Sequence, residues 1–260
     1  MIDGSFVIAG AVTGCVVGLT GVGGGALMTP ILILFFGISP ATAVATDLWF
    51  APLTKLAAVA IHQRGGNVDW QVVRRLWMGS IPVAIAVVVL MAVGMRLERI
   101  EWLTKAIGVV VAVTAVGLML APWLQAIARN RRVATPARFK ERQGGLTVFA
   151  GSLLGLLVAL TSVGAGALGT VMLVAIYPLR MTPHRLVATD IAHAIPLAMV
   201  AGTGYLFAGL VDGAMLLSLL LGSVPAVIAG SLAAGWCSPK WLRVALAVVL
   251  LAVAAKTLTA

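Results

Sequence analysis

Long apolar runs separated by short polar stretches fill this chain from one end to the other. Runs of about twenty residues recur, and such a run is long enough to cross the roughly 30 Å hydrocarbon core of a bilayer as a helix. The pattern therefore predicts an all-α polytopic membrane protein. It places five segments in each half: 6–19, 25–36, 43–61, 72–94 and 102–124, then 147–160, 166–177, 186–207, 214–235 and 241–259.

The first two segments of each half are predicted to be short. At roughly 1.5 Å per residue, runs of about fourteen and twelve residues reach only about 20 Å, less than the hydrocarbon core. Glycine-rich stretches separate the members of each pair: TGVGGG at 20–25 and TSVGAG at 161–166. Each pair is expected to be a discontinuous element or a re-entrant hairpin that breaks inside the membrane.

The chain repeats itself. Residues 10–27 and 151–168 share ten of eighteen positions at an offset of 141, and Ala-Thr-Asp at 45–47 recurs at 188–190 at an offset of 143. Two homologous halves, 1–124 and 146–260, are therefore predicted, joined by a linker at 125–145. Because five segments is an odd number, the second half enters the membrane from the opposite side. The prediction is two inverted repeats, an architecture typical of transporters.

Charge supports the same topology. Basic residues in the 125–145 linker place it in the cytoplasm by the positive-inside rule, so both termini are expected outside a bacterial inner membrane. Only 10% of residues are charged and 61% are hydrophobic, whereas a soluble domain carries roughly 25% charged residues. The net charge of +10 lies mostly in loops, so nucleic-acid binding is not predicted. The two cysteines have no metal-ligand spacing, and no metal or cofactor is expected.

The glycine breaks are the first candidate site. A helix unwound by glycines inside the membrane presents free backbone N–H groups, which bind an anion with help from the helix dipole. Close helix packing is the alternative reading of the same glycines. The candidate substrate-binding residues at the breaks are Thr20, Gly21, Gly23, Gly24, Gly25, Thr161, Ser162, Gly164 and Gly166.

Two acids inside apolar segments are the second candidate. Thr46-Asp47 and Thr189-Asp190 occupy equivalent positions in the third segment of each half; the threonines are candidate substrate-binding residues and the aspartates are candidate coupling or structural acids. Buried acids are costly and usually functional, so they could pair with a coupling proton or cation. Capping of a helix N-terminus by these residues is the alternative.

Lys55 and His193 complete the candidate set. Lys55 lies more than two turns into an apolar segment, where its ammonium could bind an anionic substrate. An ion pair with Asp47, or extension toward the interface, are the alternatives. His193 follows Asp190 by one helical turn and could complement the site from the second half. The residue equivalent to Lys55 is Ala198, so the halves differ here.

A combination of motifs resembles the TauE/SafE family of bacterial membrane proteins, the sulfite and organosulfonate exporters. It consists of the glycine run after Thr20, Ala-Thr-Asp at 45–47, Thr-Lys at 54–55, His62 and Gly-Asn-Val-Asp-Trp at 66–70. The resemblance covers nearly the whole chain and implies transport of small organic sulfur anions. The second half departs from the first, since it lacks equivalents of Lys55 and His62.

These features predict a non-enzymatic permease that moves sulfite, a sulfonate or a related anion by alternating access or as a facilitator at the repeat interface. A channel-like pore for small neutral solutes is the main alternative, and a membrane enzyme or complex subunit is a third. The expected partners are the anion and the lipid bilayer. Coupling to protons or cations and assembly into a homo-oligomer stay open.

Overall fold

A computed structural model describes residues 2–20, 25–62, 68–93, 102–134, 136–164, 166–233 and 239–259, and all regular structure within them is helical. Each predicted segment corresponds to one helix. The ten are α1 (Gly4–Thr20), α2 (Gly25–Phe36), α3 (Pro40–His62), α4 (Trp70–Ala92), α5 (Trp102–Ala134), α6 (Pro136–Thr161), α7 (Ala167–Ile176), α8 (Pro183–Phe207), α9 (Gly213–Ala233) and α10 (Pro239–Thr259).

Five of the described helices are long and apolar enough to cross a membrane: α4, α5, α6, α8 and α9. Large apolar side chains such as Phe149 and Phe207 are exposed on the outside of the helix assembly. Apolar side chains of this kind suit lipid rather than water, and helices pair most of their backbone groups internally, as a bilayer requires. The chain is therefore built as a multi-pass membrane protein.

The prediction that the first segment of the second half is short is wrong. Helix α6 has 26 residues, of which Arg142–Thr161 form a candidate span. The apolar pattern placed its start too late because polar residues such as Arg142 and Gln143 occupy the helix's first turns. The segment predicted as a linker is also largely helical, since α5 continues to Ala134 and α6 begins at Pro136.

The short helices α2 and α7 fold back on the helices that precede them. The Phe36 ring at the end of α2 stacks on Phe6 at the start of α1, with centroids 4.7 Å apart. In the second half, the Gln143 side chain of α6 donates a hydrogen bond to the carbonyl of Ile176 at the end of α7, at 2.9 Å. Of the two predicted arrangements, the helix pairs therefore form hairpins.

Glycines fix the closest helix contacts, and they do so identically in both halves. A Cβ added at Gly14 of α1 would lie 2.5 Å from the Ser223 carbonyl oxygen of α9. At the equivalent position, a Cβ on Gly155 of α6 would lie 2.4 Å from the Ser80 carbonyl oxygen of α4. Both distances are far below van der Waals contact, so only glycine permits these backbones to approach. The α1–α9 and α4–α6 contacts are thus equivalent under the sequence repeat.

The order of contacts gives the helix directions. Gly10 and Gly18 of α1 lie against Leu219 and Val227 of α9, so α1 and α9 run parallel. Likewise, Gly151 and Gly155 of α6 face Leu76 and Ser80, so α6 runs parallel to α4.

Helices α3 and α8 cross in opposite directions at the centre of the molecule. The Trp49 indole of α3 donates a hydrogen bond to the Gly202 carbonyl of α8, while Lys55 pairs with Asp190. This crossing brings the candidate polar residues of both halves together.

Replacement of Gly155 by alanine should destabilise the protein, because the new methyl group meets the α4 backbone rather than a flexible side chain. Overpacking of this kind costs about 1–3 kcal/mol. The control is Gly145→Ala on the same helix, where nothing lies within 4 Å of the added Cβ. That change should leave the melting temperature of the detergent-solubilised protein unchanged or slightly higher. Equal melting temperatures for the two variants would contradict the assigned α4–α6 contact.

Candidate functional site

The break between α6 and α7 has an unusual backbone. Ser162 has a positive φ of 57°, which a residue with a side chain rarely adopts, and Gly164 and Gly166 have φ values of 127° and 125°. The Cβ position at Gly164 has only ordinary contacts, so conformation rather than space requires glycine there. Thr161 stabilises the break: its hydroxyl bonds to the Leu157 carbonyl at 2.6 Å and accepts the Val163 amide at 3.2 Å.

This break exposes the N-terminus of α7 to the centre of the molecule. Gly166 is the N-cap residue and no side chain caps the helix. The first amides of a helix have no intrahelical partner, so they can receive a negatively charged group. In the first half, Thr20 ends α1 and Gly25 begins α2, while the predicted site residues Gly21, Gly23 and Gly24 lie outside the described residues.

Asp47 and Asp190 do not cap helices. They lie eight residues into α3 and α8, and the cap positions belong to Ser39 and Thr182. The Ser39 hydroxyl accepts the Thr42 amide at 3.2 Å, and the Thr182 hydroxyl accepts the Arg185 amide at 3.4 Å. The capping alternative is therefore wrong, and both carboxylates are held in the protein interior.

The Asp47 carboxylate is completely buried. The Thr29 hydroxyl of α2 donates a hydrogen bond to its Oδ2 at 2.7 Å. The Ser162 side chain, from the other half, lies close enough to interact with the same carboxylate. Its Oδ1 has no hydrogen-bond partner among the described residues, and the neighbouring buried Thr46 hydroxyl has none either.

Lys55 links the two halves. Its side chain is buried, and Nζ lies 3.4 Å from Oδ2 of Asp190 on α8. The partner of Lys55 is thus the acid of the second half, whereas Asp47 was the partner considered from the sequence. The lysine does not extend toward a membrane interface.

Asp190 also faces the N-terminus of α7. A Cβ added at Gly169, the third residue of that helix, would lie 2.7 Å from Oδ1 of Asp190. The carboxylate therefore rests against the glycine backbone, where the helix dipole favours a negative charge. Asp190 thus has Lys55 on one side and the α7 N-terminus on the other.

His193 is buried beside this ion pair. Its Nε2 lies 3.0 Å from the Ser80 hydroxyl of α4, and its backbone carbonyl accepts the Trp77 indole N–H at 3.3 Å. Ser223 is the equivalent of Ser80, but Phe50 stands where His193 would be, and the buried Ser223 hydroxyl has no described partner. The imidazole therefore belongs to one side of the site only.

Thr189 is turned away from the ion pair. Its hydroxyl accepts the backbone amide of Asp69 at 3.1 Å, at the start of α4. The Asp69 carboxylate in turn binds Arg180, with Nη2 2.7 Å from Oδ1, and lies 3.6 Å from Nη2 of Arg185. Thr189 thus joins a second charged cluster at the end of the helix bundle, defined here as the Asp69 cluster: Asp69, Arg180, Arg185 and Thr189.

Sequence reasoning missed Thr29, Ser80 and Gly169 as parts of the site. The repeat carries a signal for the first two, because Thr29 recurs as Thr170 and Ser80 recurs as Ser223. No such signal marks Gly169, whose equivalent is Met28. Within the described residues, no three His, Cys, Asp or Glu side chains are grouped so that they could hold a metal ion.

The arrangement can hold a small ion. It combines one ammonium, two carboxylates, an imidazole and several hydroxyls at a helix N-terminus, all shielded from solvent. Because Lys55 is already paired with Asp190, its ammonium can bind another anion only if Asp190 gives up part of this contact or is protonated. A bound anion would share Lys55 with Asp190.

Replacement of Lys55 by methionine keeps the apolar stem and leaves Asp190 unpaired. Loss of one partner of a buried ion pair costs roughly 3–5 kcal/mol when the other stays charged. The melting temperature should therefore fall, and the double change Lys55→Met with Asp190→Asn should restore it. Lys55→Met with Asp47→Asn should not. Equal rescue by both acids would contradict the specific pairing with Asp190.

Comparisons with known proteins agree on one family. The family model described as "Sulfite exporter TauE/SafE" matches residues 6–257. The chain is 36% identical over 250 residues to "Probable membrane transporter protein YjnA" of Bacillus subtilis (strain 168), covering 95% of this chain and 96% of that protein.

A shorter match, 39% identical over 59 residues, links it to "Probable membrane transporter protein YunE" of the same organism, covering 23% of this chain and 22% of that protein. No solved structure gives a significant match. A family match over nearly the whole chain, together with a relative matched over nearly its full length, identifies the family of this chain. The chain is a member of the TauE/SafE family of membrane transporters.

Proposed function

We propose that this transporter moves a small sulfur-containing anion, sulfite or a sulfonate, through a site shared by its two halves. The observation that carries the proposal is the buried pair of Lys55 and Asp190, which joins α3 to α8 beside the α7 N-terminus. An ammonium kept in an apolar interior is costly, and such groups usually mark an ion or substrate pathway. The family description adds sulfite as the ligand class.

Three kinds of donor in the site suit an oxyanion. Lys55 supplies the positive charge, the α7 N-terminus supplies free amides, and hydroxyls such as Ser162 supply neutral donors. Sulfite and sulfonates present three oxygens at one end, which several donors can bind together. Asp190 is paired with Lys55 before the anion enters, so a bound anion shares the ammonium with this carboxylate and Lys55 keeps a negative partner throughout.

Inverted repeats account for the observed packing. Helices α1 and α9 run parallel, α4 and α6 run parallel, and the equivalent helices α3 and α8 cross in opposite directions. In the repeat, α1 corresponds to α6, α4 to α9 and α3 to α8, so the α1–α9 contact corresponds to the α4–α6 contact. Because the equivalent helices α3 and α8 run in opposite directions, the two repeats have opposite orientations, as inverted repeats do. The site then lies where the repeats meet.

The distribution of charge suggests which end faces the cytoplasm. Arg75, Arg142, Arg180 and Arg185 lie at the helix ends next to residues 125–145, whereas the described residues at the other end combine Asp3 and Asp212 with Lys105 and Lys256. By the positive-inside rule the Asp69 cluster is cytoplasmic and both termini are extracytoplasmic. An inside-negative potential would then favour export of an anion by about 2.3 kcal/mol per charge per 100 mV.

Equivalent residues of the two repeats make different contacts at the two ends of the molecule. This difference suggests alternating access. The Asp69 amide is bonded to Thr189, and arginines hold the Asp69 carboxylate. The equivalent pair is Asp212 and Thr46, yet Asp212 is exposed and the buried Thr46 hydroxyl has no described partner. We infer that the structure is closed at the Asp69 end, and that a second state bonds Thr46 to Asp212 while the Asp69 cluster opens.

Reconstitution into liposomes tests the proposed function. Efflux of labelled sulfite, methanesulfonate and isethionate is measured with and without an imposed potential. The wild type should move at least one of these anions faster than protein-free liposomes, and the response of the rate to the potential gives the net charge that moves with each anion. Lys55→Met should lose this flux, while Lys105→Met, which removes an exposed lysine of α5, should keep it.

Two results would contradict the proposal. One is the absence of flux for all three anions in a well-folded wild-type preparation. The other is flux of a neutral solute such as glycerol that Lys55→Met leaves unchanged, which would favour the channel-like pore.

The closed end is tested with a cysteine at Ala198, the buried position equivalent to Lys55, in a Cys15→Ser, Cys237→Ser background. Asp69→Asn keeps a good helix cap and removes the ion pairs. If Asp69→Asn destabilises the closed state by about 1–2 kcal/mol, the rate at which a membrane-impermeant thiol reagent labels the cysteine at position 198 should rise about 5- to 30-fold. The effect should appear only when the reagent is added on the Asp69 side.

Asp212→Asn is the matched control. It changes the equivalent cap, which has no arginine partner among the described contacts, and should leave labelling at position 198 unchanged from the Asp69 side. Equal labelling rates in Asp69→Asn and wild type would show that the Asp69 cluster does not close the site.

A further inference from the structure

The buried charges of the site do not balance. Two carboxylates, Asp47 and Asp190, face one ammonium, Lys55, and His193 counts as neutral in its ordinary form near pH 7. One negative charge is therefore left over before any substrate enters. A bound sulfonate would bring a second negative charge into the same enclosed space, where charges are screened far less than in water.

Lys55 cannot neutralise both acids. It stands eight residues after Asp47 on the same helix, so their Cα atoms are about 12 Å apart along the axis. Its ammonium is instead directed to Oδ2 of Asp190, at 3.4 Å. In the second half Ala198 occupies the equivalent position, so the repeat provides no second lysine for Asp47.

The groups that contact Asp47 are neutral donors, and Lys55 acts on this carboxylate only at longer range. The Thr29 hydroxyl of α2 donates to Oδ2, the Ser162 hydroxyl comes from the end of α6, and α9 contributes no titratable side chain within its described length. From α8, the nearest ionisable groups are Asp190 and His193, while Tyr205 donates its hydroxyl to the Ala159 carbonyl and Arg185 belongs to the Asp69 cluster. Oδ1 of Asp47 and Oδ1 of Asp190 are both buried without a described hydrogen-bond partner, so the ammonium 3.4 Å from Asp190 is what distinguishes the two acids. A carboxylate so placed lacks the counter-charge that Asp190 has in Lys55 and the α7 N-terminus.

We propose that the site takes up one proton with each anion and that Asp47 holds it. The inference rests on the proposed function. The proton comes from the solution on the side to which the site is open, adds to the free Oδ1, and breaks no other bond. When the anion shares Lys55 with Asp190, the extra negative charge makes the proton on Asp47 more favourable, and by linkage the proton makes the anion bind more tightly. Transport of the anion is then accompanied by a proton.

Binding of methanesulfonate and isethionate to the purified protein tests this proposal. These sulfonates stay singly charged over the pH range used, so any proton taken up belongs to the protein. Affinity and proton uptake are measured by calorimetry in two buffers of different ionisation enthalpy at several pH values. For the wild type, affinity should fall about tenfold per pH unit above the pH where Asp47 loses its proton, with uptake of one proton per anion.

Asp47→Asn mimics the protonated carboxyl group. It should bind the sulfonate with an affinity that no longer depends on pH and with no proton uptake. Asp3→Asn, which removes an exposed acid outside the site and the Asp69 cluster, should behave like the wild type. If Asp47→Asn fails to fold, Thr29→Val provides the second variant: loss of the hydroxyl donor to the carboxylate should move the pH midpoint of binding upward.

The outcomes separate the two proposals. Sulfonate binding by the wild type that is independent of pH, or proton uptake that persists in Asp47→Asn, overturns the role of Asp47 and leaves anion transport standing. A wild type that binds neither sulfonate, and also fails to bind sulfite, contradicts the proposed function itself. Binding that requires sodium, with no proton uptake, would replace the proton with a metal cation and also overturn the proposal.

Discussion

A lysine and two aspartates buried among apolar helices are the constraint on which this structure depends. Ionised groups taken out of water must find counter-charges or hydrogen bonds, and lipid supplies neither. The pair of Lys55 and Asp190 satisfies this requirement across the two halves, and the α7 N-terminus assists the acid. A buried ion pair is often no more stabilising than apolar residues of similar size, so stability alone does not explain it. The proposed role in binding an anion accounts for its presence.

The apolar framework is symmetric, and the charged residues are not. Gly14 and Gly155 make the same backbone contact with a helix of the opposite half, and each half has a helix hairpin. Lys55 and His193, by contrast, have Ala198 and Phe50 as equivalents. The close helix contacts are therefore formed by repeated glycines at equivalent positions. The proposed site contains Lys55 and His193 without a second lysine or imidazole at the equivalent positions, so we propose a single site rather than two.

The sequence predicted the positions of the helices well because apolar length is set by the bilayer and glycine breaks are local signals. It failed at α6, where polar residues such as Arg142 lie within the helix and conceal its start. It also left the partner of Lys55 open. Asp47 shares a helix with the lysine and can be considered from spacing alone, whereas Asp190 is 135 residues away and becomes its neighbour only through the crossing of α3 and α8.

The sequence also did not predict the contact of Thr189 with Asp69, which again depends on the packing of distant segments. Its neighbour Asp190 enters the site, but one residue earlier on the helix the side chain points to the Asp69 amide. Adjacent helical residues differ in direction by about 100°, so a shared motif does not imply a shared site. The equivalent Thr46 makes no such contact, and only the structure could show that identical residue pairs differ at the two ends.

An experimental structure with a bound sulfonate would test the central claim most directly, namely that the cross-half ion pair is the anion site. The account predicts the sulfonate oxygens within hydrogen-bond distance of the Lys55 ammonium, between Asp190 and the Ser162 break, with the lysine shared by anion and carboxylate. A sulfonate bound elsewhere, with the Lys55–Asp190 pair unchanged, would contradict it.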